Sequence, residues 1–116
     1  MALRLPSSPN MSISRQKPVD AFDYEVAQEM AGALGRLGRA LERTLHALAE
    51  FDAAWPSDAG LTSEARVRRE QHIREASRAL WHFMVQREAC GLRDTRQVLR
   101  DYAVPTEVRD CMGVYV

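Results

Sequence analysis

Residues 22–55 read FDYEVAQEMAGALGRLGRALERTLHALAEFDAAW, a run without proline in which apolar side chains recur every three or four positions. At about 100° per residue, these side chains fall within an arc of about 140° along one helix. They are Phe22, Val26, Met30, Leu34, Leu37, Leu41, Leu45, Leu48, Phe51 and Trp55. The pattern predicts one long, coiled-coil-like helix that begins with Asp20 as N-cap and ends before Pro56.

Three glycines interrupt this helix at three-residue intervals, at positions 32, 35 and 38. Each costs about 1 kcal/mol relative to alanine inside a helix. Three interpretations remain open: the glycines are merely tolerated, they allow close approach of another helix, or they mark a kink.

A second helix is expected after a turn at residues 56–60, with Thr62 or Ser63 as its N-cap. It should run to about Cys90, where Gly91 provides a left-handed C-terminal cap. Its second half, residues 79–85, is apolar nearly all round. Such a segment is usually buried between several neighbours.

Two short helices complete the expected domain. Asp94 and Gln97 fit a capping box for a helix over about residues 95–102. Pro105 can occupy the first position of a last helix that ends near Gly113. No strand-like alternation is visible, so the predicted fold is all-α: an antiparallel hairpin of two long helices plus two short C-terminal helices. Residues 1–19, rich in proline and serine, are expected to form a flexible arm, with residues 20–116 as a single domain.

The length of the first helix predicts self-association. About 34 helical residues span about 50 Å, whereas a compact domain of this size is about 35 Å across. One hairpin therefore leaves part of the apolar stripe uncovered, and a homodimeric four-helix bundle covers it most simply. The expected contact residues are Leu34, Leu37, Leu41, Leu45 and Leu48.

Composition and motifs argue against several functional classes. The 116 residues carry 16 basic and 16 acidic side chains, which does not favour nucleic acid or anionic membranes as partners. No segment approaches the roughly 20 apolar residues of a membrane span, and the N-terminus has no signal-peptide pattern, so a cytoplasmic location is expected. His46, His72 and His82 lack metal-site spacing, and Cys90 and Cys111 are expected to be reduced thiols. We therefore expect no metal, no cofactor and no enzymatic activity.

Three residues near the end of the second helix are candidates for a partner contact or an ion pair. Arg87 shares a face with Phe83, where a charge is costly unless it is paired, and Asp94 is one possible partner. Trp81 lies in the apolar segment, and a ligand pocket near Trp81, Phe83 and Met84 is a further hypothesis.

Residues 87–102 offer an alternative function, because they read as helix, glycine-containing turn and helix. The pattern superficially resembles a DNA-binding helix-turn-helix. However, Gln97 and Arg100 stand where apolar residues are required, so weak nucleic-acid binding is the less favoured interpretation.

Residues 79–94 read ALWHFMVQREACGLRD, and residues 101–108 read DYAVPTEV. With ALGRLG at 33–38, these segments resemble those of short bacterial proteins grouped as a family of unknown function. The likeness covers about residues 20–113 and implies no activity. The sequence thus favours a self-associating protein-interaction module whose further partner, if it has one, is another protein.

Overall fold

The computed structural model describes residues 18–55 and 60–114, and every regular element in that part of the chain is helical. The helices are α1 (Pro18–Ala54), α2 (Ser63–Ala89), α3 (Thr95–Asp101) and α4 (Thr106–Asp110). The all-α prediction is therefore confirmed. The expected arm lies largely outside the described residues.

The start of α1 differs from the expectation. The helix begins at Pro18, so Asp20 lies within the first turn and is not the N-cap. Proline suits the first helical position because its fixed φ is already helical and its missing N–H would have no partner there. The expected boundary between residues 19 and 20 therefore falls within the first turn of α1.

Helix α1 is continuous through all three glycines, so the kink interpretation is wrong. Gly38 has a packing role: a Cβ atom there would lie 3.0 Å from Tyr102 Oη and 3.3 Å from Phe83 Cε1. At Gly32 and Gly35 the nearest atoms are the ends of flexible arginine side chains one turn further along the same helix. Only Gly38 is therefore explained by close approach.

Two cross-helix contacts give the register of the hairpin. Gly38 lies against Phe83, and Asp52 is paired with Arg69, so α1 and α2 run antiparallel. In the same register, Ala89 at the end of α2 lies opposite about Gly32. Residues 18–31 of α1 therefore extend past the hairpin by about 21 Å. We call this segment the overhang.

The core lies between α1 and α2 and is closed by α3 and α4. Its fully or nearly buried members are Leu41, Leu48, Ile73, Ala76, Leu80, Phe83, Val98 and Val108. The edge of the Tyr102 ring packs on Phe83, with ring centroids 5.4 Å apart. The buried Ser77 Oγ lies 2.7 Å from the Ile73 carbonyl oxygen and 3.1 Å from that of Val108, which ties α2 to α4.

Helix capping follows the sequence closely. The Thr62 hydroxyl accepts the Ala65 N–H at 3.0 Å, and the Asp94 carboxylate accepts the Gln97 N–H at 3.1 Å. Pro105 differs from the expectation: it is the N-cap of α4 and lies one position before the helix, with an extended ψ of 150°.

Helices α2 and α3 end in the same hydrogen-bonded motif with different residues at the left-handed position. After α2, Gly91 has φ of 83°, and the Leu92 N–H donates to the Arg87 carbonyl. After α3, Ala103 has φ of 50°, and the Val104 N–H donates to the Leu99 carbonyl. This is the Schellman arrangement, in which glycine is the usual residue because a side chain there is strained.

The expected enclosure of residues 79–85 is only partly present. Phe83 and Leu80 are buried, but Trp81 is 36% exposed and Val85 is 48% exposed. Trp81 packs against the C-terminal turn at Gly113. The apolar side of α2 that carries Trp81 and Val85 is therefore only partly covered within the described chain.

We expect Gly35→Ala and Gly38→Ala to have opposite effects on stability. Gly35→Ala should raise the free energy of unfolding by about 1 kcal/mol, since it gains helix propensity and meets no obstacle. Gly38→Ala should lower it by about 1 kcal/mol, because the added methyl crowds Tyr102 and Phe83. Urea denaturation measures both, and an equal gain in the two variants would contradict the packing role of Gly38.

We also expect Ala103→Gly to stabilise the protein by about 1 kcal/mol, because glycine removes the left-handed strain at the end of α3. Gly91→Ala should destabilise it by about the same amount for the same reason. Thermal unfolding of the two variants provides the comparison, and a loss of stability in Ala103→Gly would show that the Ala103 methyl makes a needed contact.

Candidate interaction surface

Arg69 joins three helices through two two-pronged ion pairs. Its guanidinium contacts Asp52 of α1 at 2.8 and 3.1 Å, and Glu107 of α4 at 2.8 and 2.9 Å. The Arg69 side chain is 22% exposed, whereas those of Asp52 and Glu107 are 43% and 56% exposed, so the arginine is partly buried and its partners lie at the surface. The cluster fixes α4 to the hairpin near the α1–α2 turn.

Sequence reasoning missed this cluster. Asp52 and Glu107 lie 17 and 38 positions away from Arg69, and no motif links charges at such separations. The only available signal was the position of Arg69 on the apolar side of α2. The sequence indicates that position but does not identify the acidic partners of the arginine.

The ion pairs shift the titration of their members. Hydrogen bonds from Arg69 lower the pKa of Glu107 below its ordinary value of 4.5, against the opposing effect of partial burial. Hydrogen bonds to Glu107 and then Asp52 raise the pKa of Arg69, which keeps the guanidinium charged. The cluster is therefore a structural tie, and both of the shifts it produces favour the charged forms.

Arg87 and Asp94 do not form the expected ion pair. Arg87 Nη2 lies 3.4 Å from the backbone carbonyl oxygen of Asp94, and its guanidinium lies 5.8 Å from the centre of the Phe83 ring. The Asp94 carboxylate is instead used as the N-cap of α3. Trp81 projects from a different side of α2 than Phe83, so these two rings do not line one pocket.

The described residues hold few groups suited to chemistry. They contain no cluster of three or more histidine, cysteine or acidic side chains placed to hold a metal ion. Cys90 and Cys111 are both free thiols, and the His72 ring packs on Phe51 with centroids 5.4 Å apart. Burial, and then the nearby charge of Glu42, raises the pKa of Tyr102.

An open groove of about 1370 Å³ runs between α1 and the loop after α3. Leu45, Leu48 and Ala49 lie beneath it, and the strained Ala103 lies on its edge. Its charged lining is mixed, with Arg39 and Arg43 balanced by acidic residues of α1 and α3. The groove therefore shows no preference for one sign of ligand charge.

The side of α1 that faces away from the groove is not covered by another helix of the described chain. We call the strip of side chains on this side the bare strip. A strip of small or apolar side chains runs along α1, centred about 140° around the helix axis from Gly38. Its members are Ala33, Leu37, Ala40, Thr44 and Ala47, all half-buried. The Thr44 hydroxyl lies 3.0–3.1 Å from carbonyl oxygens of its own helix, so its polar atom is satisfied without a partner.

The overhang continues this strip with larger side chains. Phe22 is 64% exposed and Val26 is 40% exposed, and both lie in the same arc as the strip. Tyr24, on the other side of the overhang, is also exposed. An apolar helix face of this length, with no neighbour among the described residues, is the feature most typical of an interaction site.

The five expected self-association residues divide into two groups. Leu41 and Leu48 are covered within one chain, at 0% and 2% exposure, so another copy reaches them only if the hairpin opens. Leu34, Leu37 and Leu45 are half-buried and pack at the edge of the core. Of these, only Leu37 also belongs to the bare strip.

The segment expected to resemble a helix-turn-helix has a surface on which basic and acidic side chains are both exposed. Helices α2 and α3 are joined by a short turn, as expected, and Arg93, Arg96 and Arg100 are exposed. Asp101 and Glu88 are exposed in the same region. Nucleic-acid binding stays a prediction that this geometry does not strengthen.

The pH dependence of Glu107→Gln tests the Arg69 cluster. Because the folded pKa of Glu107 is lowered, its stabilising effect is complete above its unfolded pKa of about 4.5 and is lost as the pH falls through the lower folded value. Wild type should therefore be more stable than Glu107→Gln at pH 7, and the difference should shrink as the pH is lowered below about 4.5. Urea titrations at a series of pH values measure this, and a deficit independent of pH would contradict the assignment.

Comparisons with known proteins identify a family but no activity. No curated protein and no solved structure matches the chain significantly. Among the described residues, no helix is both long and apolar enough to cross a membrane. A family model, described as a family of unknown function (DUF6665), matches residues 9–116. Because the match extends over nearly the whole sequence, the chain belongs to this family.

Proposed function

We propose that this protein is a self-associating helical module without enzymatic activity, which forms a homodimer through α1. The observation that carries the proposal is the overhang together with the bare strip. Both belong to one helix and both are apolar; Phe22 and Val26 of the overhang are exposed, and the strip is only partly covered by the rest of the described chain.

The energetic argument rests on the cost of leaving this face in water. Burial of apolar surface contributes about 25 cal/mol per Å², so covering Phe22 and Val26 alone is worth a few kcal/mol. Helix α3 packs elsewhere, because Tyr102 at its end lies on the side of α1 that holds Gly38, and α4 packs on α2 through Val108. A second copy offers a matching apolar helix, and its α1 can pack beside the hairpin as a further helix of the bundle.

The proposal of no enzymatic activity is supported by the structural roles of the polar side chains, which form ion pairs, backbone hydrogen bonds and helix caps. Arg69, Asp52 and Glu107 satisfy one another, Ser77 bonds to the backbone, and Asp94 caps a helix. These groups hold the fold together; of them only Asp52 also lines the groove beside α1, and it is already paired with Arg69.

Val26→Asp and Tyr24→Asp form a matched pair that tests self-association. Both residues are exposed in the overhang, but they lie about 160° apart around the helix. Val26→Asp should reduce the proportion of dimer at least about tenfold at a given concentration, because it buries a charge in the contact. Tyr24→Asp should leave the proportion of dimer unchanged.

Analytical ultracentrifugation over a wide concentration range measures the mass of each variant, and circular dichroism checks that the helices persist. A wild-type protein that stays monomeric at all concentrations would refute the proposal. Equal effects of the two substitutions would show that the bare strip is not the contact.

A further inference from the structure

The bare strip and the overhang form one line of side chains on α1, interrupted between Val26 and Ala33 by Glu29. We call this line the seam. It consists of Phe22, Val26, Ala33, Leu37, Ala40, Thr44 and Ala47. At about 100° per residue these positions fall within an arc of about 80°, which is centred about 80° from Leu41. Since Leu41 faces α2, the seam is a second contact face next to the one used inside the hairpin.

Side-chain size changes along the seam. The overhang carries the large residues Phe22 and Val26, whereas the part beside the hairpin carries mostly small ones, such as Ala40 and Thr44. If two seams pair antiparallel about Ala33, Val26 lies opposite Ala40 of the other copy. Phe22 then lies opposite its Thr44. Phe22 and Val26 therefore each meet a small side chain, as close packing of two helices requires, whereas Leu37 lies opposite Glu29 of the other copy.

Charge changes along α1 in the same way. The overhang holds Asp20, Asp23, Glu25 and Glu29 and no basic residue, whereas Arg36, Arg39 and Arg43 follow within the next turns. Antiparallel pairing about Ala33 places the acidic overhang of each copy beside the basic segment of the other. A parallel pair would instead place the two overhangs together, four acidic residues against four. Like charges in that position oppose association.

The charged residues of α1 that lie next to the seam illustrate this charge complementarity. Glu25, Glu29, Arg36 and Arg43 lie within about 40° of one another around α1. In an antiparallel pair, equivalent flanks of the two helices meet, so Glu29 of one copy lies beside Arg36 of the other. Within one chain Glu29 and Arg36 lie 3.5 Å apart with largely exposed side chains, an arrangement that contributes little and leaves both free to turn to a partner.

We propose that two copies of this chain pair antiparallel along the seam, with a two-fold axis at Ala33, so that each acidic overhang covers the bare strip of the other copy. This inference rests on the proposed self-association and adds its orientation, register and contact residues. Two helices about 10 Å wide in contact over about 45 Å cover roughly 900 Å² in total, near the lower end for specific interfaces. The dimer is therefore reversible and must be studied at several concentrations.

Cysteine cross-linking tests the orientation. In a Cys90→Ser, Cys111→Ser background that keeps its helical circular dichroism, Val26→Cys and Ala40→Cys are prepared separately and oxidised alone or mixed. The antiparallel register predicts little disulfide-linked dimer in either protein alone and a cross-linked heterodimer in the mixture, since a disulfide needs Cα atoms within about 7 Å. Ala33→Cys, at the axis, should cross-link to its own copy.

Charge reversal tests the same register without cysteines. Glu25→Arg with Glu29→Arg should raise the dissociation constant at least about tenfold at low salt. Adding Arg36→Glu and Arg43→Glu to the same chain restores opposite charges and the original net charge, and should return the constant to within about threefold of wild type. In a parallel pair, the first change would strengthen the dimer.

The outcomes separate the two proposals. A wild-type chain that never dimerises removes the proposed function and this inference together. A dimer in which Val26→Cys links to itself, or in which the first charge reversal strengthens association, overturns the antiparallel register and leaves self-association standing.

Discussion

The fixed register between α1 and α2 is the constraint on which the rest of the molecule depends. It is held near the turn by Arg69, which grips Asp52 with two hydrogen bonds, and further along by Phe83, which fits against the bare backbone of Gly38. A slip by one helical turn would lose both contacts. With the register fixed, the difference in length between the two helices appears entirely at one end, as the overhang.

The same register assigns different tasks to neighbouring faces of α1. One face carries Leu41 and Leu48 and is used up inside the hairpin, and a second, on the Gly38 side, receives Tyr102. The face on the far side has no covering element among the described residues. A helix that presents two apolar faces at about 80° to each other belongs at the corner of a bundle, where it has two neighbours.

The sequence predicted those features that depend on local pattern. The Thr62 and Asp94 caps, the Gly91 terminus and the approximate bounds of α2 and α3 are each determined by residues within a few positions, and these were correct. The start of α1 and the bounds of α4 differ from the expectation. The function of Arg69 could not be predicted, because its partners are brought together only by the register and by the placement of α4. The sequence also predicted that the whole apolar stripe on α1 is one self-association surface, whereas Leu41 and Leu48 are buried inside the hairpin. Periodicity alone cannot divide a wide apolar arc between an internal and an external partner.

The stability of the overhang depends on how the apolar arc of α1 is divided between the hairpin contact and the face outside it. A helical segment of 14 residues is marginal on its own, and here it persists as an extension of a helix already nucleated inside the hairpin. Asp20 and Asp23 support it through the helix dipole, but Gly32 at its base weakens the link to the hairpin. Its helical state therefore depends on what covers Phe22 and Val26. In the proposed dimer, association and the ordering of the overhang would be one coupled equilibrium, in which each copy stabilises the exposed end of the other.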